Sequence, residues 1–523
     1  MRVAVNTGAR YANRAVTLLV GFFLTPFLLA RLGPDSLALQ VIGIQALQFC
    51  MLFGNAFSKG YSRFATLHFA RGDFDGMNRV LGSGLTLTAA LAGLALLFIA
   101  ILEVFAGKAL GVEGHLVSSA RWVVLIIGAG YVFDQLVGVF EAPLFVTQKF
   151  YVLEIAQVLS RVLAVLGVVL LFRVTTPTIV GWVALTVACT VVLKLLFTIP
   201  AALRALPQLR LRFHMPSGPE FKEMAGFSVA SLLGSLGFLF FYASSSIVIA
   251  HVPELGTSKV LPYNLGQRWD PQVREIVFGF AASLTPVFTS LHAMRDRRGL
   301  RTSFLSSCRH ALLLAMLPCL LLFSFASPFM TLWVGSGYAS ESSQILQLAI
   351  LNVLISVPAI VGYEALVGLG RIGGVAWAMV AGGVFNIILG VVLSGTFGLG
   401  ILGVAISMLV SYSGGACGFI LWSVMREVDV SFREFLSRVV LAPLSVWLAC
   451  GAIAFGLQAY SVPRSWVALG AECVVSAGAF LAGVYAIVLS AEERANLLTV
   501  MHAVFTKIRR YTFGTPPEPV IPD

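Results

Sequence analysis

Hydrophobic residues fall into long stretches along almost the whole chain, and short polar segments separate them. About 20 consecutive apolar residues form a helix that crosses the roughly 30 Å hydrocarbon core of a bilayer. We find fourteen such stretches, at approximately residues 12–30, 37–57, 84–106, 121–146, 153–172, 178–200, 226–250, 262–290, 306–328, 343–368, 374–395, 400–424, 439–458 and 466–489. The pattern predicts an all-α polytopic membrane protein with about 14 transmembrane helices. The first stretch follows basic residues, as in a signal peptide, but lacks a convincing cleavage site, so we expect a retained span.

The composition supports a membrane protein and argues against other classes. Of 523 residues, 58% are hydrophobic and 11% are charged, whereas a soluble domain is about 45–50% apolar and 25% charged. The seven cysteines lie in or beside apolar runs, without a CxxC motif or a nearby His. We therefore expect neither a disulfide framework nor a metal site, and no cofactor is predicted.

The basic residues indicate an orientation rather than a nucleic-acid partner. If the N-terminus is cytoplasmic, most of the 35 Lys and Arg residues fall on cytoplasmic segments, which is the positive-inside pattern. Arg161, Lys194 and Arg274 remain at membrane depth. We expect a multi-pass protein of the bacterial cytoplasmic (inner) membrane with both termini in the cytoplasm. A nucleic-acid site would gather basic residues with aromatic ones on one patch, and this is not seen.

The sequence contains an internal duplication with an offset of about 223 residues. Shifted by this offset, Gly33 meets Gly256, Asp73 meets Asp296, and Glu141 meets Glu364. We predict a six-helix bundle at 1–224, a second at 225–438, two additional helices at 439–489, and a cytoplasmic tail at 490–523. Because six is an even number, both bundles share one orientation, which is a transporter plan with the substrate path between them.

The tail pattern predicts a helix on the membrane surface. Ser490 and Glu493 have the spacing of a capping box. Apolar residues follow at helical spacing with basic residues beside them: Leu497, Met501, Val504, Phe505 and Ile508, with Lys507, Arg509 and Arg510. Such an amphipathic helix suits the inner membrane surface. We expect the Pro-rich residues 514–523 to be disordered.

Polar residues at membrane depth are costly, so they mark candidate sites. The eighth stretch carries a polar stripe on one helix face: Asn264, Gln267, Arg268, Pro271, Arg274 and Glu275. The second stretch carries Gln45, Gln48 and Asn55 on the matching face. We predict that both stripes line a shared water-filled cavity and that Pro271 interrupts its helix. Alternatively, the two arginines of the eighth stretch are anchors at the outer interface. Arg10 and Arg14 either face an inward-open cavity or flank the membrane. Arg161 is a further candidate for binding in the cavity.

Several acids at membrane depth are candidates for ion coupling: Asp134, Glu141, Glu364 and Glu275. Glu141 and Arg161 lie at similar depth, so a structural ion pair between neighbouring helices is an equal alternative. We expect Lys194 to extend toward the cytoplasmic interface. Glu364 has no obvious basic neighbour except Arg371. The lack of a close basic partner makes Glu364 a candidate for proton coupling.

Motifs for enzymatic chemistry are missing from the sequence. It has no GxxxxGK[ST] motif for ATP, no GxSxG motif and no His pair at metal spacing. The external loops are short, which disfavours a membrane-embedded glycan polymerase or ligase. The sequence therefore favours a transporter over an enzyme.

Four segments resemble those of Wzx-type polysaccharide (O-antigen) flippases, members of the MATE/MOP exporter superfamily: TPFLLARLGPDSLAL (25–39), FGNAFSKGYSRFATLHFARGD (53–73), LWVGSGYAS (332–340) and GLGILGVAISMLVSY (398–412). The resemblance implies a V-shaped pair of bundles and alternating access. It also implies translocation of an undecaprenyl-diphosphate-linked oligosaccharide to the outer leaflet for cell-surface polysaccharide biosynthesis.

The resemblance further implies binding residues and partners. Related lipid II flippases direct arginines of the first, second and eighth spans toward the diphosphate. Arg10, Arg14, Arg63, Arg268 and Arg274 occupy comparable elements here, although two arginines share the eighth span and the second-span stripe is neutral. The expected partners are the lipid-linked glycan, membrane lipids and other polysaccharide-assembly proteins. The alternative is a cation-coupled MATE-type exporter of small amphiphiles, whose lumen would carry chiefly acids.

Overall fold

The computed structural model describes residues 2–112, 114, 116–215 and 218–495. Within these ranges the protein consists of helices and connecting segments, without strands. Fourteen helices are long and apolar enough to cross a membrane: Gly8–Leu32 (α1), Pro34–Ala70 (α2), Phe74–Val104 (α3), Leu116–Gly138 (α4), Tyr151–Val174 (α5), Ile179–Ala205 (α6), Leu232–His251 (α7), Thr257–Ala293 (α8), Arg297–Ser324 (α9), Ser336–Gly368 (α10), Gly373–Thr396 (α11), Gly400–Glu427 (α12), Phe432–Tyr460 (α13) and Trp466–Val488 (α14). The predicted all-α, multi-pass architecture is therefore confirmed.

Two of these spans extend beyond the apolar segment, and short helices connect others. The helix of α1 begins at Arg2, and the helix of α7 begins at Gly218. The connecting helices are Ala106–Leu110, Glu141–Val146 and Ala326–Val334. We call the side where α1 begins and α2 ends the N-terminal face, and the other side the opposite face.

The 223-residue offset recurs in the helix boundaries. The bounds of α2 and α8 differ by this offset at both ends. Asp73 accepts a hydrogen bond from the Gly76 amide at 2.8 Å, and Asp296 caps Gly299 in the same way at 2.8 Å. The Gly76 amide and His68 lower the pKa of Asp73 below its usual range. We call residues 2–205 the first half and residues 218–427 the second half.

Burial differs strongly between the spans. α10 is the centre of the second half, with 78% of its most apolar window buried, whereas the corresponding value for α1 is 6%. Side chains such as Leu94, Leu97 and Ile101 of α3 are exposed. Apolar surface of this extent suits contact with lipid rather than water.

The helix of α8 is broken in its middle, as Pro271 predicts. A helix at Val260–Gln267 ends before Arg268, and a new helix begins at Asp270 with Pro271 in its first turn. Proline is accepted there because the first turn of a helix leaves its amides without intrahelical partners. The break separates the two arginines of the eighth span into different helical segments.

The two additional spans are joined to both halves. Trp447 of α13 donates a hydrogen bond to the Met316 carbonyl of α9 at 3.1 Å. Trp466 of α14 packs edge-on against Phe22 of α1, with ring centroids 5.5 Å apart. Phe22 also stacks on Trp333, whose indole N–H donates to the Phe22 carbonyl at 2.8 Å. This aromatic contact fastens α1 near the opposite face.

The predicted capping box after α14 is confirmed. The Ser490 amide donates to Glu493 Oε2 at 2.8 Å, and the Glu493 amide donates to Ser490 Oγ at 3.3 Å. Glu493 also accepts from Arg309 of α9. Partial burial opposes the effect, but the Ser490 amide and Arg309 together lower the pKa of Glu493. The predicted amphipathic helix, Leu497 to Arg510, and the tail 514–523 lie outside the described residues.

Candidate functional site

A cleft of about 660 Å³ lies between α2 of the first half and α7 of the second half. Its lining consists mainly of amide, hydroxyl and apolar side chains: Gln48, Met51, Leu52, Asn55, Ser58, Ser62, Glu141, Phe145, Ser235 and Leu239. The α2 residues among them lie in the part of the helix nearer the N-terminal face. We call this space the central cleft. Its polar positions recur on one face of α2, which explains why helical spacing identified Gln48 and Asn55.

The polar stripes of α2 and α8 meet directly at the level of Gln45. Gln45 Nε2 donates to Asn264 Oδ1 at 3.3 Å, and Asn264 Nδ2 donates to Ser246 Oγ at 2.8 Å. The two halves are in direct contact at this level, where a shared cavity was expected. Gln267 is turned into the second half, where Nε2 lies 3.3 Å from Met408 Sδ. The Gln45–Asn264 contact closes the seam on the side of the opposite face.

Arg274 lies inside the second half, which corrects its predicted placement on a wet cavity. Its side chain is 2% exposed, and that of Asp270 is 0% exposed. Arg274 Nε donates to Asp270 Oδ1 at 2.6 Å, and Nη2 donates to Oδ2 at 3.0 Å. Nη1 donates to Ser356 Oγ, and the guanidinium lies 4.8 Å from the Tyr412 ring centroid. A cation with these partners has no donor directed at a ligand.

Asp270 is the residue that explains this burial, and the sequence analysis missed it. It also accepts from Tyr242 at 3.0 Å and from Asn352 at 3.3 Å. Its position four residues before Arg274 is the spacing of an ion pair within a helix, and this signal was available. At the 223-residue offset the first half has Leu47 and Met51, so the pair belongs to the second half alone.

Arg161 belongs to a polar cluster between α1 and α5 rather than to an ion pair with Glu141. Its guanidinium donates to Asn13, and to Thr17 Oγ1 at 2.5 Å. Asn13 in turn donates to Glu154 at 2.5 Å and to Gln157 at 3.1 Å. Arg10 is exposed on the same helix, and Arg14 is half-buried. Asn13 joins the two helices, and its role was not apparent from spacing on α5 alone.

Lys194 of α6 is the basic partner of two acids that we considered for ion coupling, Asp134 and Glu141. Its ammonium contacts Asp134 of α4, and it donates to Glu141 Oε1 at 2.8 Å. The Glu141–Arg161 pair is therefore wrong, and the extension of Lys194 toward the cytoplasmic interface stays a prediction. Glu141 lines the central cleft, whereas Asp134 and Lys194 line a neighbouring cavity of about 290 Å³. We call these three residues the Lys194 triad.

The remaining candidates have different surroundings. Glu364 accepts a hydrogen bond from Thr285, and Arg371 instead pairs with Glu427 at 3.7 Å. Glu275 is exposed. Glu364 thus lacks a basic partner among the described residues, and its position in the repeat does not reproduce the triad of the first half.

Arg268 is exposed at the break in α8 and lies against α1. A Cβ atom added to Gly21 would lie 2.2 Å from Arg268 Nη2, so the guanidinium touches the α1 backbone at glycine. Among the described residues it has no hydrogen-bond or ion-pair partner. Within the described residues, no group of three or more His, Cys, Asp or Glu side chains is placed to hold a metal ion.

The chain is similar in sequence to a bacterial membrane protein over nearly its whole length. It is 23% identical over 503 residues to "Uncharacterized membrane protein EpsK" of Bacillus subtilis (strain 168), covering 95% of this chain and 98% of that protein. No family model matches the chain.

Three solved structures define the fold class. The inward closed lipid II flippase MurJ has a TM-score of 0.69 at 14% identity, covering 92% of this chain and 98% of its own. An inward-facing MATE multidrug resistance transporter of the MOP superfamily has a TM-score of 0.66 at 16% identity, covering 80% and 94%. A MOP superfamily transporter of Pyrococcus furiosus with a binding pocket of reversed polarity has a TM-score of 0.60 at 16% identity, covering 82% and 95%. The chain has the all-α MOP fold of these transporters.

Proposed function

We propose that this protein is a flippase for an undecaprenyl-diphosphate-linked oligosaccharide and moves it from the cytoplasmic to the outer leaflet. The observation that carries the proposal is the central cleft, whose neutral hydroxyl and amide side chains suit sugar hydroxyl groups. The MOP fold that the chain shares with a lipid II flippase supports the same class of substrate. An oligosaccharide headgroup cannot cross hydrocarbon unaided, and polar side chains replace part of its lost hydration.

The contacts between the halves support alternating access. The cleft lies toward the N-terminal face, and the Gln45–Asn264 contact closes the seam beyond it. In the proposed orientation the N-terminal face is cytoplasmic, so the structure represents a state that receives substrate from the cytoplasm. Transport then requires the Gln45–Asn264 contact to open while the cleft closes.

Arg268 is the candidate cation for the diphosphate among the predicted arginines. It is exposed, it lies at the break of a membrane span, and no described residue pairs with it. A guanidinium binds phosphate oxygens through two parallel hydrogen bonds. Arg274 is removed from this role because its side chain is buried and already paired with Asp270. An inside-negative potential would favour outward movement of the anion by about 2.3 kcal/mol per charge per 100 mV.

The second candidate function is a cation-coupled exporter of small amphiphiles. Glu141 is the charged group that lines the central cleft, and a carboxylate attracts a cationic substrate. Lys194 neutralises part of this attraction because it donates to the same carboxylate. This pairing favours the flippase over the exporter.

The test is translocation in proteoliposomes that contain the purified protein and a fluorescent polyprenyl-diphosphate-linked oligosaccharide. The wild-type protein is expected to move the lipid between leaflets, and Arg268→Ala is expected to slow it at least tenfold. Arg173→Ala is the matched control because Arg173 is another exposed arginine, at the end of α5. Absence of lipid translocation together with uptake of an organic cation would replace the proposal with the exporter.

A further inference from the structure

The Lys194 triad holds a charge imbalance next to the central cleft. Two carboxylates, Asp134 and Glu141, share one ammonium. The Lys194 side chain is 13% exposed, whereas those of Asp134 and Glu141 are 44% and 25% exposed. With both acids ionised, the triad carries a net charge of −1. A cleft that accepts an anionic headgroup would repel it at this wall unless the ammonium also takes part.

The ammonium retains one donor for a ligand. A lysine side chain has three N–H donors, and within the described residues Lys194 uses two, toward Asp134 and Glu141. Met51 and Asn55 border both the central cleft and the cavity beside Lys194, so the triad stands in the wall between these spaces. Lys194 thus contacts a carboxylate, that of Glu141, which itself lines the central cleft.

We propose that Lys194 is an anion-binding residue of the central cleft. When a diphosphate headgroup binds, the Lys194 ammonium replaces its contact with Glu141 by a contact with a phosphate oxygen. The proposal rests on the flippase function and adds a cation that the sequence analysis did not assign to substrate. Asp134 keeps the ammonium charged and positioned, and Glu141 occupies the phosphate position while the cleft is empty.

The repeat supports a role specific to the first half. At the 223-residue offset, Lys194 corresponds to Cys417 and Asp134 to Val357, while Glu141 corresponds to Glu364. Among these aligned positions the triad is therefore a feature of the first half. Only the half with Lys194 places its acid on the central cleft.

The proposal predicts that substitutions of the two members of this ion pair change the affinity for a diphosphate in opposite directions. Lys194→Met removes the cation, and we expect at least tenfold weaker binding of a diphosphate. Glu141→Gln removes the competing carboxylate and leaves the triad neutral, so we expect binding to become severalfold tighter. A tenfold change in affinity corresponds to about 1.4 kcal/mol, which is of the size that one hydrogen bond to a charged group contributes.

The experiment measures equilibrium binding of radiolabelled farnesyl diphosphate to the full-length protein in detergent, with farnesol as the phosphate-free reference. Lys259→Met is the matched control, because Lys259 also pairs with a glutamate, Glu341, away from the cleft. Lys194→Arg keeps the charge and should retain most of the affinity. Size-exclusion profiles restrict the comparison to folded protein.

The outcomes separate this inference from the flippase proposal. Failure of the wild-type protein to bind farnesyl diphosphate above farnesol would count against the flippase itself. If the wild-type protein binds farnesyl diphosphate, but Lys194→Met and Glu141→Gln leave the affinity unchanged or lower it to the same extent, the proposed role of Lys194 is wrong. The flippase proposal is not affected by that result. If Lys194→Met does not fold, the increase expected for Glu141→Gln still decides the question.

Discussion

The buried pair of Asp270 and Arg274 provides the sharpest test of how the second half is stabilised. Replacing either residue leaves the other charge in a site that is at most 2% exposed. Removal of one partner of a buried ion pair costs about 3–5 kcal/mol. We therefore expect Asp270→Leu and Arg274→Met to be strongly destabilising as single changes.

The double variant is expected to recover much of this loss. Leu and Met are the residues that the first half has at the equivalent positions, Leu47 and Met51. With both charges removed, the remaining cost is chiefly the Tyr242 hydroxyl and the Asn352 amide, which lose Asp270 as their acceptor. An unsatisfied buried group costs about 1–3 kcal/mol. Asp270→Leu leaves the same two groups unpaired together with an isolated Arg274 cation, so the double variant should be more stable than Asp270→Leu by at least about 1 kcal/mol.

Thermal unfolding in detergent with a thiol-reactive dye measures the effect, because Cys308 and Cys319 are buried until the second half unfolds. For a cooperative unit of about 200 residues, 1 kcal/mol shifts the melting temperature by about 2–4 °C. The single variants should melt about 6–20 °C below the wild type. A control pair, Lys259 and Glu341, is about 40% exposed, and its removal should cost less than about 1 kcal/mol. A double variant no more stable than Asp270→Leu would refute the reasoning.

Three further predictions follow from other contacts. Linking Gln45→Cys to Asn264→Cys with a short cleavable reagent, in a background without native cysteines, should stop transport, and cleavage should restore it. The Asp73 cap should stabilise the protein fully above the unfolded pKa of Asp, near 3.9, and this stabilisation should be lost as pH falls through the lower folded pKa. The melting temperature of Asp73→Asn should therefore fall less at acid pH than that of the wild type. Glu493→Gln should weaken the contact with Arg309, and faster amide exchange at residues 490–495 would detect this.

Helical spacing predicted the elements but not the partners of charged side chains. Periodicity placed Gln48 and Asn55 on one face of α2, and the position of Pro271 predicted the break in α8. These are properties of one helix. The partner of Lys194 depends on how α4 and α6 lie beside each other, and a pattern along the chain carries no information about that distance. The sequence therefore identified Lys194 as a basic residue within an apolar helix but did not identify its two acidic partners.

Arg274 illustrates a different limit. Its spacing from Asn264 and Gln267 is that of one continuous helix, but the helix is broken at Arg268–Trp269. Gln267 and Arg274 both lie against residues of the second half, so the polar face continues past the break but borders the interior of the bundle rather than a cavity. The acceptor that holds Arg274 there is Asp270, four residues earlier.

The two halves therefore use one helix pattern but distribute charge differently. In the second half, Asp270 and Arg274 are buried and form an ion pair with each other inside the bundle. In the first half, the Lys194 triad is partly exposed and one of its acids lines the central cleft. Helix movements that separate a buried ion pair cost free energy because each charge loses its partner. A partly exposed triad changes partners at a lower cost in free energy, because water solvates its charges. We therefore expect the first half to provide the adaptable contacts to a headgroup, while the second half moves as a more rigid body.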